Sequence, residues 1–431
     1  MKIRRLLIVV LSLALPVGII CGAVGLIHAD SAQATANTKY VSPNSVCGVV
    51  VPCYGSIQEA VDDSVSGDVI KVSQGVYTSV LSNVLTISKS IEILGGFSRT
   101  DWGDSKPMDQ PTVIDGEESR RGIRIEEPGD FKVVLAGLTV RNGHAITIGG
   151  GGILVISGTV DINECYIVDN VVAEGTGYPG GGVAAVSSRI TIVGSTIQDN
   201  KADSGGGLSI DHSTVDLTKS SIRANVAEKG GGLYVFGKAV LNMSANTVIG
   251  NMSPVGKGPG ILLDGDSVIE GVNDIIADNK ALVGEGEGVN IWLGNLTAAH
   301  WTLSNNDGYG LVASNGYVYL INTIVTSHTV AGIFGDVVRA DTSLFYANGS
   351  NCSSGASCTG NLVGDPRFYD PENSDYHIMV GSAAKDTGRP SNVRVDFDGD
   401  RRPIGVGPDI GADEYIFKTF IPFLTKSTSE R

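Results

Sequence analysis

The stretch Gly205–Asn225 reads GGGLSIDHSTVDLTKSSIRAN: a glycine triplet before a leucine, two short apolar alternations, and an asparagine three residues after an isoleucine. The same arrangement recurs on both sides of it. The last glycine of each copy follows the previous one after 30, 25, 25, 28, 28, 22 and 22 residues. These glycines are Gly152, Gly182, Gly207, Gly232, Gly260, Gly288, Gly310 and Gly332. A period of this length indicates a solenoid with one supersecondary unit per repeat.

A column of asparagines closes most copies, 18 or 19 residues after the last glycine. Matching residues of stacked coils lie about 4.8 Å apart, so buried asparagines in one column are predicted to form a ladder of hydrogen bonds. His328 takes the place of one member, and one asparagine at each end extends the series. The predicted ladder is Asn142, Asn170, Asn200, Asn225, Asn251, Asn279, Asn306 and Asn348.

Each copy contains about three short alternating stretches separated by Gly, Asn and Ser, without helical spacing. Such alternation predicts short strands, with aliphatic side chains stacked inside and glycines at the corners. An apolar column lies eight residues after the glycine: Val160, Ile190, Val215, Val240, Val268, Leu296 and Val318. The sequence therefore predicts an all-β protein, a single-stranded parallel β-helix.

The glycine triplet with its following aliphatic and the Ile-x-x-Asn signature resemble the repeat of polymorphic outer membrane proteins. More widely, residues 40–350 resemble the pectin-lyase-like superfamily, which implies that the β-helix is right-handed. The C-terminal motifs from Gly364-Asp365-Pro366 to Asp409-Ile410-Gly411-Ala412 resemble the end of choice-of-anchor Q proteins. That resemblance implies a location outside the cell or at its surface.

The two ends of the solenoid are expected to be covered. Ser56-Ile57-Gln58-Glu59 is a capping box, and Ile57, Ala60, Val61 and Val65 would line one face of a short cap helix. An irregular C-terminal cap is expected at the other end. The predicted organisation is 1–36 export segment, 37–130 N-terminal cap and first coils, 131–350 repeats, 351–415 C-terminal cap and 416–431 apolar tail.

Composition excludes several classes of protein. The 431 residues include 58 glycines without a three-residue period, which excludes collagen. Hydrophobic residues make up 42 %, which is too many for a disordered chain. The net charge of −15 argues against a nucleic-acid partner.

The N-terminus has the features of an export signal. Lys2, Arg4 and Arg5 precede an apolar run from Leu6 to Ile27, and Ala34-Thr35-Ala36 fits a cleavage site. The run is also long enough to remain as an uncleaved anchor, which would be the chain's sole expected membrane contact.

The cysteines of the exported chain fall into two pairs with the same spacing. In an oxidising compartment Cys47–Cys53 and Cys352–Cys358 are each expected to close a small disulfide loop. Cys165 is left over and is interpreted as a buried apolar residue.

Outward-facing columns give the candidate ligand site. Asp211, Tyr234, Phe236, Asp264 and Trp292 are predicted to lie on one face, with the aromatic rings as sugar-stacking platforms. The alternative is a surface of scattered solvated side chains. His212 is expected to point away from Asp211, because strand neighbours face opposite sides.

Asp396, Asp398 and Asp400 are the candidate metal ligands, with calcium as the cation, because alternating acids around Gly399 resemble calcium loops. A salt-bridge cluster with Arg401 and Arg402, without metal, is the competing interpretation.

Three functions remain open. The leading hypothesis is an exported β-helix protein that binds or adheres to an extracellular polysaccharide or a cell-surface component. The second is a polysaccharide lyase or glycoside hydrolase, although the sequence motifs of polygalacturonases are absent. The third is a structural spacer at the cell surface.

Overall fold

The computed structural model describes residues 37–126, 131–358 and 360–416. In the coil that contains the quoted stretch, strands Leu208–Asp211, Thr214–Thr218, Ser221–Arg223 and Val226–Lys229 follow one another. Each pairs in parallel with the equivalent strand of the next coil or the previous one. We number the four resulting sheets face 1 to face 4 in this order. The export segment and nearly all of the apolar tail lie outside the described residues.

The strands of each face are neighbours across coils. Face 1 contains Asn83–Ile87, Arg121–Glu126, Ile153–Ile156, Val183–Val186, Leu208–Asp211, Leu233–Phe236, Ile261–Leu263, Glu287–Ile291, Tyr309–Ala313, Ala331–Phe334 and Cys352–Ser353. Face 2 contains Cys53–Tyr54, Thr38–Val41, Val69–Ser73, Ile91–Phe97, Lys132–Ala136, Thr159–Asn163, Arg189–Val193, Thr214–Thr218, Val240–Ser244, Ser267–Val272, Gly294–Ala299, Gly316–Ile321 and Val338–Asp341. Face 3 contains Gly75–Tyr77, Thr112–Asp115, Leu138–Arg141, Tyr166–Val168, Thr196–Gln198, Ser221–Arg223, Thr247–Ile249, Ile275–Ala277, Thr302–Ser304, Ile324–Thr326, Leu344–Tyr346 and Leu362–Val363. Face 4 contains His144–Ala145, Val171–Val172, Lys201–Ser204, Val226–Lys229, Met252–Ser253 and Lys280–Ala281. An antiparallel pair, Phe368–Asp370 with Asp375–Ile378, two short 3-10 turns, Pro43–Ser45 and Pro371–Asn373, and the α-helix Ile57–Asp63 complete the regular structure of the described residues.

The core consists of inward aliphatic side chains from successive coils. In the quoted coil these are Leu208, Ile210, Val215, Leu217 and Ile222, all without exposed surface. The prediction of an all-β parallel helix is confirmed, with a short fourth strand in six of the coils that the sequence pattern did not separate.

The predicted apolar column is wrong in two coils. Leu241 and Ile269, not Val240 and Val268, continue the inward row from Val215. The corner before Val240 has one residue more than the corner before Thr214, which shifts the register by one.

The asparagines from Asn170 to Asn306 stack at the corner between faces 3 and 4, each at most 1 % exposed. The Asn200 backbone N–H and its Nδ2 amide both donate to Asn225 Oδ1 at 3.0 Å. Nδ2 also donates to the carbonyl of Ile167 in the preceding coil at 2.9 Å. The series continues past His328, whose N–H donates to Asn348 Oδ1 at 3.1 Å.

Asn142 does not belong to this stack, contrary to the expectation. Gly143 occupies the position, and its N–H donates to Asn170 Oδ1 at 2.8 Å. Asn142 lies one residue earlier, with a φ of 51°, and its Nδ2 donates to Asp115 Oδ1. This coil lacks the side chain that the ladder would need.

The helix Ile57–Asp63 covers the first coil. Ser56 Oγ accepts the N–H of Glu59 at 3.2 Å, and Ile57, Ala60 and Val61 join the main core. Val65 lies beyond the helix and is 51 % exposed, so its predicted place on the buried face is wrong. Among the described residues, the structure contains no helix that is long and apolar enough to cross a membrane.

Only the first residues of the predicted C-terminal cap, 351–415, lie over the end of the solenoid. Residues 364–416, which we call the C-terminal strap, lie along the outside of face 3. The apolar contacts join Ile378, Ala384 and Ile410 to Ile324 and Leu344, and Tyr376 and Ala412 to Ile275 and Ala277. The far end of the core is covered by the loop that Cys352 and Cys358 close, which packs Ala356 against the core.

Both predicted disulfides, Cys47–Cys53 and Cys352–Cys358, are present. Cys165 is free and 1 % exposed, and its N–H donates to Ser195 Oγ in the next coil. Burial raises the pKa of its thiol to about 12, so the thiol stays protonated and unreactive.

Candidate functional site

Four of the five candidate ligand residues form one row on the outside of face 1. Asp211 pairs with Phe236 of the next coil. Asp264 and Trp292 continue the row, because the Asp264 N–H donates to Val235 O and the Trp292 N–H donates to Leu263 O, both at 2.9 Å. Parallel strands are about 4.8 Å apart, so Asp211 and Asp264 lie about 10 Å apart on either side of Phe236.

Tyr234 lies two residues before Phe236 on the same strand, and the two rings stack. Their centroids are 4.4 Å apart and their planes differ by 14°. The pKa of the Tyr234 hydroxyl is raised, first by burial and then by the charges of Asp264 and Asp211. Both carboxylates therefore lie close enough to act on the Tyr234 hydroxyl. We call these five residues the aromatic surface: Asp211, Tyr234, Phe236, Asp264 and Trp292.

The aromatic surface ends at Tyr234 because the equivalent side chains of the preceding coils are buried. Tyr234 continues the outward row of Leu154, Ala184 and Ser209, which are at most 1 % exposed. The first glycine of a triplet packs over these positions: a Cβ on Gly180 would lie 2.8 Å from Ala184 Cβ. Between Leu154 and Ser209 the row therefore offers no accessible side chain, and the next member, Tyr234, is partly exposed.

His212 contacts Asp211, contrary to the expectation. Its Nδ1 lies 2.5 Å from Asp211 Oδ1. The strand ends at Asp211, and the φ of 47° at His212 turns the ring back to the same side. Gly237 leaves room for this contact, since a Cβ there would lie 2.3 Å from Asp211 Oδ1.

The three candidate metal ligands Asp396, Asp398 and Asp400 lie on a bend and offer oxygens within 4.8 Å of one another. Asp396 is buried and committed to the backbone. Its Oδ1 accepts the N–H groups of Asp398, Gly399 and Asp400 at 3.0, 3.0 and 2.8 Å, and its Oδ2 accepts that of Glu414. Asp396 thus holds the turn together, and its pKa is raised mainly by burial.

The described residues do not form the competing salt-bridge cluster of Arg401 and Arg402 with the three acids either. Arg402 pairs with Glu414 at 3.1 Å instead of the three acids, and it donates to the carbonyls of Asp409, Gly411 and Ala412. Arg401 has no ion pair among the described residues.

Sequence reasoning missed His377. Its ring lies between Asp375, at 2.5 Å from Nδ1, and Asp398, at 2.6 Å from Nε2. Asp413 completes the group, with a carboxylate oxygen within 4.8 Å of the His377 and Asp398 ligand atoms. These residues are spread over the whole strap, so no local spacing marks them as neighbours.

Comparisons with known proteins agree with this architecture. The family model of the right handed beta helix region matches residues 117–273. The crystal structure of pectate lyase Pel9A aligns with a TM-score of 0.56 and 13 % identity, covering 89 % of this chain and 97 % of that chain. The complex of XylC with xylose aligns at a TM-score of only 0.39, with 10 % identity and coverage of 88 % and 99 %. No curated protein matches the chain. The fold is therefore a right-handed parallel β-helix like that of a pectate lyase.

Proposed function

We propose that this protein binds an uncharged polysaccharide outside the cell, through the aromatic surface of face 1. Two observations carry the proposal. Tyr234 and Phe236 stack on each other, and Phe236 lies in one row with Asp264 and the exposed Trp292.

Aromatic rings at this spacing suit a sugar chain. The apolar face of a sugar ring packs on an aromatic side chain, and each such contact buries a large apolar area at little cost in side-chain entropy. Trp292 is 61 % exposed and lies two coils from Phe236, about 10 Å along the row. That separation lets two sugar units of one chain contact rings at the same time.

The flanking carboxylates favour a ligand without negative charge. Asp211 and Asp264 are acceptors for sugar hydroxyl groups. A uronate polymer would meet these two charges and a net charge of −15, which repel it unless cations bridge the two. The two disulfides of the described residues fit an oxidising, extracellular location.

Affinity electrophoresis through gels that contain a soluble glucan, mannan, xylan or polygalacturonate tests the proposal. We expect retardation by at least one uncharged polymer and none by polygalacturonate. Phe236→Ala should weaken binding at least tenfold, or about 1.4 kcal/mol. Tyr369→Ala is the matched control, because Tyr369 is 68 % exposed but lies on the strap.

Two results would overturn the proposal in favour of the alternatives. Turnover of polygalacturonate that chelation abolishes would favour a lyase. Absence of binding across the panel would leave the structural spacer as the better account.

A further inference from the structure

We infer that His377, Asp398 and Asp413 bind a divalent transition-metal cation of the zinc type in the cleft of the C-terminal strap. This site is independent of the aromatic surface and differs from the calcium loop that the sequence predicts.

Three separate parts of the strap bring the ligand atoms together. His377 lies on the strand Asp375–Ile378, Asp398 on the bend after Asp396, and Asp413 near the end of the described chain. One ligand atom of each lies within 4.8 Å of the other two. Zinc bonds of about 2.0–2.2 Å place ligand atoms roughly 3–3.6 Å apart, so small side-chain rotations complete the geometry.

Asp375 orients the histidine for this role. Asp375 Oδ1 lies 2.5 Å from Nδ1 of His377 and also accepts the His377 backbone N–H at 3.1 Å. A carboxylate on one ring nitrogen fixes the tautomer and leaves the other nitrogen to the metal, as metal-bound histidines commonly require. Here that other nitrogen is Nε2, which faces Asp398 at 2.6 Å.

Asp413 adds a buried carboxylate to the same cleft. It is only 9 % exposed, and its Oδ2 accepts the N–H of Ile378 at 2.7 Å. Among the described residues, its Oδ1 has no hydrogen-bond donor. A buried carboxylate needs a positive partner to offset the loss of hydration. The facing His377 ring is that partner when it is protonated, and a bound cation would take the place of the proton. The neighbouring Arg402 is committed to Glu414 and three carbonyl groups.

The surroundings give an ion access and select its type. A cleft of about 590 Å³ is lined by His377, Asp398 and Asp413, so a bound ion could keep water ligands. Imidazole nitrogen favours zinc and its neighbours in the transition series, whereas calcium prefers oxygen ligands alone. Asp396, which a calcium loop would need, is committed to four backbone N–H groups.

Isothermal titration of the chelator-treated full chain with Zn²⁺, and separately with Ca²⁺, tests the site. We expect one Zn²⁺ per chain, undisturbed by equimolar Ca²⁺. His377→Gln and Asp413→Asn should each weaken Zn²⁺ binding at least tenfold. Asp375→Asn should weaken it by about 10–100-fold, as loss of an orienting partner does. Glu372→Gln is the control, since Glu372 is an exposed carboxylate of the strap that does not line the cleft.

A spectroscopic measurement separates lost ligands from lost folding. Co²⁺ bound to the wild type should give a visible absorption band that His377→Gln abolishes while the far-ultraviolet circular dichroism stays unchanged. The inference is overturned if folded wild-type protein does not bind Zn²⁺. It is also overturned if the His377 and Asp413 variants bind as the wild type does, or if Ca²⁺ binds in preference and depends on Asp396.

Discussion

Asn225 connects three coils through one side chain. Its Oδ1 accepts two hydrogen bonds from Asn200, its Nδ2 and backbone N–H donate to Asn251 Oδ1, and Nδ2 also donates to Ile197 O. The side chain thereby satisfies backbone groups at a corner, where no strand neighbour is in register to do so.

Replacing Asn225 with Ala should lower the free energy of unfolding by about 1–3 kcal/mol, because buried donors on Asn200 lose their acceptor. Urea unfolding measures the change. Glu228→Ala, at an exposed position of the same coil, should change it by less than about 0.5 kcal/mol. Equal unfolding midpoints for the two variants would contradict the ladder's contribution.

Asp274 makes stability depend on pH in the opposite sense to an ordinary acid. Complete burial is the main cause that raises its pKa from 3.8 to about 7. Because the folded state holds the proton more tightly, this contribution is present below pH 4 and is lost as the pH rises to about 7. Its Oδ1 accepts hydrogen bonds from the N–H and the Nδ2 of Asn246, and its Oδ2 has no hydrogen-bond partner within the described part of the chain.

Asp274→Asn should therefore raise the melting temperature at pH 8 and leave it nearly unchanged at pH 4. The wild type should lose stability between pH 4 and 7 more steeply than the variant. A series of thermal melts from pH 4 to 8 measures both curves. Parallel curves would show that Asp274 does not titrate as its burial implies.

At the residue scale, the sequence predicts the position of a residue correctly where the same residue type recurs in every coil. The prediction fails where one coil departs from the repeat. The six stacked asparagines could be predicted from their spacing because the corner of each coil has backbone groups that need the same hydrogen-bond partner. Asn142 is misplaced because the chain before Asn170 lacks the signature that sets the register. His212 contacts Asp211 because a positive φ, which alternation does not foretell, ends the strand.

At the scale of elements, a buried ion pair within the strap holds together the segment that packs on face 3. Arg402 is 2 % exposed and binds Glu414, also buried, at 3.1 Å. Arg402→Met would leave Glu414 buried without a positively charged partner, which typically costs about 3–5 kcal/mol.

We expect Arg402→Met to increase proteolysis within 364–416 while coils 131–350 remain resistant. Arg401→Met, at an exposed position, is the matched control. Limited trypsin digestion with mass mapping measures the cleavage sites. Unchanged resistance of the strap would contradict the role of the ion pair, and equal loss in the coils would contradict its separate attachment.

The sequence indicates that face 3 is covered by another segment, but this indication is not part of the repeat pattern. Outward positions of face 3 are polar in the quoted coil, at Ser221 and Arg223, but apolar further on, at Ile275, Ala277 and Ile324. This change from polar to apolar marks a covered surface. It cannot identify which segment covers it, so the strap was expected at the end of the solenoid.

At the scale of the whole molecule, stacked coils turn distant residues into neighbours at a fixed spacing. Asp211, Phe236, Asp264 and Trp292 are 25 to 28 residues apart in sequence and form one row. The row could be predicted because the repeat sets the register. The His377 cluster could not, because the strap folds outside the repeat.

The central claim is that this row binds a sugar chain, and Trp292 reports on it directly. The chain has three tryptophans, of which Trp102 and Trp301 are buried and Trp292 is 61 % exposed. The measurement is a fluorescence titration with an oligosaccharide of the uncharged polymer that the gels identify. We predict a saturable blue shift of the emission, absent in Trp292→Phe and weakened at least tenfold in Phe236→Ala. Saturable binding of that oligosaccharide by calorimetry, with no change in Trp292 emission, would contradict the claim.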